Sequence, residues 1–521
     1  MADGKKRYVV TAPDMETTDS IWDDLLTTEP TPDTIPDHAV EVENERPTNP
    51  KNTVYWLTDA EAKALSADSR VEAVEDLDSL TPAKHMPFQD GDFNKLATPA
   101  GGERQNWGLL RHVNTTNVYA ASTADPGGTY DYVLDGTGVD VVIVDSGILT
   151  DHPEFNNSSG VSRIKQIDWY AASGVSGTLP QGFYSDYDGH GTHVAGTVAG
   201  KTFGWAKNAD IYAIKLAGLE GASDPNTGMP ITDVMDCILG WHNAKTNGRP
   251  TVVNHSWGYV KVWNTSTQSI DVGASSYPVT GGSYRGTPWS GGDKFTDRGL
   301  IGSQVNISLY QFGAQSSSVD ADFVTLATAG IYQVVSAGNN GMKQDSVGGL
   351  DYDNYVTATG LPDWYYHRPS SPKPPTGQGL LVGSMGTGTV TDLDTKSSFS
   401  DGGPAVDIYA AGGNIVSAMS TTNAENSNTL YYLNTSFKQE VFNGTSMAAP
   451  QMAGIAALVL QVHPNWTPSQ VTGWVKQYAQ TALYTTGLDN DYTTTNSVWG
   501  GLNNIAYFPM NGQRVFSLLG L

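Results

Sequence analysis

A serine becomes a strong nucleophile when a base takes its proton, an acid orients that base and donors await the oxyanion. Three short stretches of this 521-residue chain offer such parts. Asp145 closes the apolar run Val139-Asp-Val-Val-Ile-Val144 and is followed by Ser146-Gly147. A carboxylate at the carboxyl end of a buried strand stands on the rim where open α/β sheets build their sites. His190 lies in Asp188-Gly-His-Gly-Thr-His-Val-Ala-Gly196, whose glycines let the backbone turn tightly into a helix. Ser446 lies in Asn443-Gly-Thr-Ser-Met-Ala-Ala-Pro450, at the start of a long apolar helix. A helix N-terminus turns free N–H groups and the positive end of its dipole toward incoming negative charge. Each stretch has a plainer explanation. Asp-Ser-Gly is a common strand-to-loop turn, His-Gly-Thr-His leaves a metal pair open, and Thr445-Ser446 could simply cap a helix. Occurring together in the order Asp, His, Ser, they favour acyl transfer at a serine.

Bringing these groups together calls for an α/β scaffold. Val139–Val144, Asp210–Lys215, Thr251–Asn254 and Ile331–Val335 read as strands buried on both faces. Helices are predicted over 191–200, 231–246, 319–329, 446–462 and 468–480. Such alternation implies a parallel sheet covered by helices. Residues 259–318, 345–380 and 421–440 break the rhythm with Gly, Ser, Thr and aromatics. They are read as surface insertions, because Trp263, Tyr277, Trp289 and Phe295 give them something to bury. Ahead of this body a small α/β unit is expected. Its strands are Arg7–Thr11, Asn52–Leu57 and Val71–Glu75, with a helix at 18–26 and a loop from Glu29 to Pro50. A second helix opens on the capping box Thr58-Asp-Ala-Glu61. The expected division is 1–77 for this unit, 78–105 for a linker, 106–508 for the main domain and 509–521 for a tail.

Composition removes several function classes. With 54 acidic and 29 basic side chains the formal net charge is −25, which argues against nucleic acid as a partner. The single cysteine, Cys237, excludes an internal disulfide and a zinc site of several thiolates. It sits among Ile231, Val234, Met235 and Ile238 at helical spacing, the pattern of an inert core thiol. The first residues lack the apolar core of about 7–15 residues that a secretory signal needs. The run Met447 to Val462 is interrupted by Pro450, Gln451 and Gln461 and reads as too short for a membrane span. A soluble chain without a classical export signal is therefore expected, which lysis, packaging in a particle or an intracellular role would each explain.

Together with Trp107-Gly-Leu109, His152-Pro153, Ser336-Ala-Gly-Asn339 and Leu502-Asn-Asn-Ile-Ala-Tyr507, these motifs resemble the subtilisin-like serine peptidases, most nearly the proteinase K type. The resemblance implies a three-layer subtilisin-like α/β fold with a mostly parallel central sheet, plus a small α+β N-terminal prodomain. It implies Ser446 as nucleophile, His190 as general base, Asp145 as orienting acid and Asn339 as side-chain oxyanion donor beside the Ser446 N–H. Ser256, Trp257 and Gly258 match the strand that pairs with an extended peptide. Ser336, Ala337 and Gly338 match the wall of the pocket for the residue before the cut, with room for a large apolar or aromatic side chain. The first 77 residues, through Leu57-Thr-Asp-Ala-Glu61 and Val71-Glu-Ala-Val-Glu75, resemble the family's inhibitory propeptide, cut in cis within Asp78–Glu103. Polypeptide substrates and the chain's own propeptide are the implied partners, with no nucleic acid and no membrane.

Departures from the family pattern matter too. Trp257 stands where leucine is usual, which would narrow the neighbouring subsite. Val194 follows the second histidine where relatives of this type often carry cysteine, so thiol sensitivity should be absent. His193 reads as structural, and His255 as surface or structural. No cofactor is required. Structural calcium has room among the surface Asp and Asn residues, Glu154 occupies one ligand position of the family, and the metal ligands otherwise stay unassigned. The rival readings are a self-limited maturation protease in a particle or assembly, and a binding protein that works through its insertions. A sedolisin-type carboxyl peptidase is disfavoured, because Asn339 and His190 stand where that group needs acids.

Overall fold

The computed structural model describes residues 5–26, 40–44, 52–76, 89–99, 101–221, 224–264, 266–272, 275–290, 304–306, 309–390, 392–422, 427–484 and 498–509. The chain divides into two compact units, Met1–Met86 and Pro87–Leu521.

The first unit holds β1 (Lys6–Thr11), α1 (Met15–Leu26), β2 (Glu41–Asn44), β3 (Asn52–Leu57), α2 (Asp59–Leu65) and β4 (Ala73–Asp76). Its antiparallel sheet runs β2-β3-β1-β4. Alternation along β1 and β3 turns Tyr8, Val10, Tyr55 and Leu57 into one core with Ile21, Leu25 and Leu65. Helix α1 starts three residues earlier than expected because the Asp14 carboxylate accepts the Thr17 N–H at 2.8 Å. The Thr58–Glu61 capping box is formed in both directions. Within the stretch expected as a loop, β2 pairs Val42 with Tyr55, while most of the rest lies outside the described residues.

The second unit begins with α3 (Trp107–His112), β5 (Asp140–Asp145), β6 (Ile164–Lys165), α4 (Trp169–Ser173), α5 (His190–Ala199), β7 (Asp210–Lys215), α6 (Ile231–Ala244) and β8 (Thr251–His255). There follow β9 (Val260–Asn264), β10 (Ser269–Val272), β11 (Ser275–Tyr284), β12 (Thr287–Ser290), β13 (Gln304–Asn306) and β14 (Leu309–Gly313). The chain then runs through α7 (Ser317–Thr328), β15 (Tyr332–Ser336), β16 (Tyr355–Ala358), β17 (Trp364–Tyr365), β18 (Gly379–Val390), β19 (Leu393–Lys396), β20 (Ile408–Ala411), β21 (Ile415–Met419) and β22 (Lys438–Phe442). It ends in α8 (Thr445–Val462), α9 (Pro468–Tyr478) and β23 (Leu483–Tyr484).

The central sheet has the order β23-β19-β18-β15-β8-β5-β7-β6, with β20 beside β18. Among its described pairs only β18–β19 is antiparallel. Every residue of β5, β8 and β15 is buried, as their unbroken apolar runs require. Helix α8 packs on α5 and against β8, β15, β18 and β20. By length and composition it is apolar enough to cross a membrane, contrary to the sequence expectation, yet 89% of it is buried inside the unit. It is a core helix. Gln451 within it accepts from Asn106 Nδ2 at 3.0 Å and Trp205 Nε1 at 2.7 Å, so its polarity is matched.

The inserted segments form a second, antiparallel sheet, β13-β14-β9-β10-β11-β16-β17, with β12 on β11. It has its own core of Trp263, Ile270, Trp289, Phe312, Val356 and Tyr366, in which Trp263 and Trp289 stack with ring centres 5.9 Å apart. Tyr277 packs at its margin, and Phe295 lies outside the described residues. The stretch expected as a linker is divided. Residues 77–88 lie outside the described residues, whereas Phe93 and Lys95 are fully buried in the second unit.

Candidate active site

Asp145 is the last residue of β5 and is 1% exposed. Its Oδ1 accepts the Ser146 N–H at 2.8 Å and lies 2.7 Å from His190 Nδ1. Two glycines permit this contact. Gly147 has φ +117°, and a Cβ there would sit 2.1 Å from the Ser185 carbonyl oxygen. A Cβ on Gly191 would sit 2.0 Å from the Gly147 carbonyl oxygen. Side chains at these positions would push α5 away from the rim of β5.

His190 opens α5. The start of that helix is held by a carboxylate that sequence reasoning missed. Buried Asp186 accepts from the Gly189 N–H at 2.8 Å, the Thr192 N–H at 2.9 Å, Thr192 Oγ1 at 2.5 Å and Ser146 Oγ at 3.0 Å. Ser146 Oγ in turn accepts the Gly191 N–H at 2.9 Å, which ties the aspartate loop to the histidine helix. Burial works against a charged His190, but the charge and hydrogen bond of Asp145 outweigh it and push the imidazole up to about 9.

Ser446 is the second residue of α8, so its N–H has no acceptor within the helix. Its Oγ donates to the Ser256 carbonyl at 3.0 Å, and Ser256 Oγ donates to the Ser446 carbonyl at 2.9 Å. Among the described residues no hydrogen bond joins Ser446 Oγ to His190. Asn339 Oδ1 accepts both the Thr445 N–H at 2.8 Å and Thr445 Oγ1 at 2.9 Å. Its carboxamide nitrogen has no partner among the described residues. Asn339 and Ser446 line one cavity of about 240 Å³ with Ser256, Gly258, Ser336 and Gly338. A second cavity of about 360 Å³, lined by Asp145, His190, Trp257 and Glu220, shares the Ser256–Gly258 rim.

The remaining expected residues fall differently. Ala337 is fully buried and lines neither cavity, because alternation at the end of β15 turns it away from Ser336. Trp257 is 8% exposed, edge-on to His255 and Tyr259. His255 is not at the surface: it is fully buried against Phe323, and burial pushes its imidazole down to about 3. His193 is also neutral, pushed by burial to about 3. Its Nε2 faces the Ile415 and Glu440 carbonyls and its ring stacks on Phe442, which removes the metal-pair reading. Cys237 is buried, as its spacing implied.

Glu154 does not suit a calcium ion. Both carboxylate oxygens are occupied by Tyr431 Oη at 2.6 Å, Thr202 Oγ1 at 2.5 Å and the N–H groups of Thr202 and Phe203 at 3.0 and 3.3 Å. Among the described residues no three His, Cys, Asp or Glu side chains cluster as metal ligands. A second missed residue is Asp401, buried behind Gly338. Its Oδ1 accepts the Asn340 and Met342 N–H groups at 3.0 and 2.9 Å, its Oδ2 accepts from Gln344 Nε2 at 2.9 Å, and burial pushes it up to about 6.

Residues 136–500 match the family model described as "Subtilase family". The chain is 27% identical over 352 residues to an extracellular serine proteinase of Thermus sp. (strain Rt41A), across 68% of this chain and 58% of that protein. It is 25% identical over 448 residues to alkaline serine exoprotease A of Vibrio alginolyticus, across 86% of this chain and 59% of that one. The chain thus spans a little under three fifths of each of these relatives. A crystal structure of a cold-adapted subtilisin-like serine proteinase aligns with 77% of this chain and 97% of its own, at 23% identity and a TM-score of 0.44.

Proposed function

Because this chain belongs to the subtilase family, we propose that it is a serine endopeptidase working through Asp145, His190 and Ser446 by way of an acyl-enzyme intermediate. The observation that carries the reading is the 2.7 Å contact between His190 Nδ1 and Asp145 Oδ1, beside the cavity shared by Ser446 and Asn339. A family motif alone would not require that contact.

In this reading an extended peptide lies along Ser256–Gly258. A substrate N–H donating to the Ser256 carbonyl competes with the Ser446 hydroxyl for that oxygen and releases the hydroxyl toward His190. The imidazole takes the Ser446 proton as Oγ bonds to the scissile carbonyl carbon. Asn339 Nδ2 and the Ser446 N–H receive the oxyanion. The same proton then passes from His190 to the leaving amine as the C–N bond breaks, and water repeats the sequence in reverse to free the acid. Asp145 holds the Nδ1 proton and stabilises the imidazolium while it lasts. No metal or cofactor enters any of these steps.

The first unit is read as an inhibitory propeptide removed in cis. Its separateness, ending at Met86 ahead of the family match at 136, supports that assignment. Ser446→Ala tests both parts. Loss of casein hydrolysis together with retention of the full-length precursor is expected; a variant that still cuts itself or casein would refute the nucleophile. Turnover of unrelated unfolded protein by the wild type separates a general endopeptidase from one confined to its own precursor.

A further inference from the structure

The cavity beside Ser446 is lined by more than the central sheet. Val260 and Gln311 border it together with Ser370, alongside Ser336 and Gly338. Val260 opens β9 and Gln311 lies in β14, neighbouring strands of the inserted sheet that pair Val260 with Gly313 and Val262 with Gln311. Side chains alternate across a strand. Phe312 is fully buried in the inserted core, so Gln311 and Gly313 on either side of it belong to the opposite face. One face of this ribbon builds the second core and the other borders the cavity.

The edge is fixed in place. A Cβ on Gly313 would lie 2.9 Å from Ser370 Cβ and 3.0 Å from the Ser370 nitrogen, so glycine alone permits this approach. Backbone bonds then link Tyr259 N–H to Ser371 O, Ala314 N–H to Tyr259 O and Ser371 N–H to Ala314 O, each at 2.9 Å. Gln311 stands on this anchored strand, half-buried, and its carboxamide has no hydrogen-bond partner among the described residues. None of the described residues lining the cavity carries a charge. A carboxylate or ammonium entering it would lose water without meeting an opposite charge on these lining side chains, the Asp401 carboxylate behind Gly338 being already engaged by Asn340, Met342 and Gln344, whereas a neutral polar group would meet the amide of Gln311.

Resting on the protease reading, we propose that the inserted sheet forms a wall of the pocket for the side chain preceding the scissile bond. Gln311 reads that side chain, and the substrates are peptides uncharged at this position, glutamine being accepted over its isostere glutamate. The family's small-residue wall leaves size open; the inserted strand adds selection by charge and hydrogen bonding.

The test uses the mature enzyme and peptides identical except for Gln, Glu, Leu or Lys before the cut. Wild type is expected to cleave after Gln and Leu about tenfold or more faster, in kcat/KM, than after Glu or Lys. Gln311→Glu should raise the Lys-to-Leu ratio by about tenfold, and Gln311→Leu should raise the Leu-to-Gln ratio by about fivefold, one hydrogen bond's worth. A fluorophosphonate label that reacts with Ser446 reports that each variant is folded and competent. Labelled variants with the wild-type ranking, or a wild type that favours Lys or Glu, would overturn the proposal. A wild type that neither takes the label nor cuts any peptide would defeat the protease reading itself.

Discussion

Ser446 and Ser256 are bonded to each other twice, hydroxyl to carbonyl in both directions, at 3.0 and 2.9 Å. The Ser256 hydroxyl also accepts from buried Asn254 Nδ2 at 2.9 Å, so a polar relay runs from the end of β8 to the start of α8. Ser256→Ala keeps the carbonyl and deletes the relay, leaving Asn254 Nδ2 buried without its acceptor. A stability loss of about 1–3 kcal/mol is expected. The relay sets the start of the nucleophile's helix, and the Ser256 carbonyl that would receive the substrate N–H is kept in the variant, so kcat should fall by more than KM rises. Thermal unfolding and kinetics normalised to labelled enzyme measure the two effects; an unchanged kcat would show that the relay does not position Ser446.

Protonation of His190 sets the pH profile. The base must be neutral to accept the Ser446 proton, and Asp145 pushes its pKa up to about 9, against burial. In free enzyme kcat/KM should therefore rise with pH through the alkaline range and level off above that value. Asp145→Asn removes the opposing charge. The rising limb should move to lower pH while the plateau falls by about 10⁴-fold, as the imidazole loses its tautomer and orientation. A pH–rate series on both proteins decides this, and a limb that does not move would separate Asp145 from the titrating group.

Asp401 should act on the oxyanion site without touching substrate. It holds the N–H groups of Asn340 and Met342, which flank the turn after Asn339. Asp401→Ala leaves both donors buried and unpaired, a cost of about 2–4 kcal/mol. Asp401→Asn keeps an acceptor oxygen in place and should recover most of the kcat lost in the alanine variant. If both variants lower stability alone, with kcat unchanged, Asp401 is a structural residue and no more.

Much of this was legible in the sequence, for physical reasons. Strands β5, β7, β8 and β15 are buried on both faces, which leaves continuous apolar runs that announce themselves. Asp145, His190, Ser446 and Asn339 sit in local motifs whose glycines are dictated by close packing, as at Gly147 and Gly191. Asp186 and Asp401 were hidden because half or more of their partners are backbone N–H groups, which leave no mark on residue type, and the side-chain partners Ser146, Thr192 and Gln344 are ordinary polar residues that only the fold brings near. Ala337 was expected in the pocket wall because Ser336-Ala-Gly338 resembles the family's, whereas its side chain, one residue past the end of β15, is fully buried and lines neither cavity. The inserted sheet was seen only as aromatics in search of burial, since strands rich in Gly, Ser and Thr pair through tertiary context.

The N-terminal edge of the mature enzyme should lie before Gln89. Gln89 exchanges two backbone bonds with Tyr130, both at 2.9 Å. Phe93 is fully buried, and its carbonyl accepts from Tyr119 Oη at 2.7 Å. Lys95 is fully buried too. Its ammonium lies 4.4 and 4.3 Å from the ring centres of Trp107 and Tyr119 and 3.6 Å from Asp394 Oδ1, and burial pushes it down to about 8. Removing this segment would leave Asp394 with Arg111 as its remaining partner and open a hole over two aromatic rings. Phe93→Ala alone should cost about 3–5 kcal/mol. N-terminal sequencing of active enzyme should accordingly give a start upstream of residue 89, and Ser446→Ala should keep its original terminus. A mature terminus beyond Lys95 would mean that the buried segment is dispensable and that this part of the core forms without it.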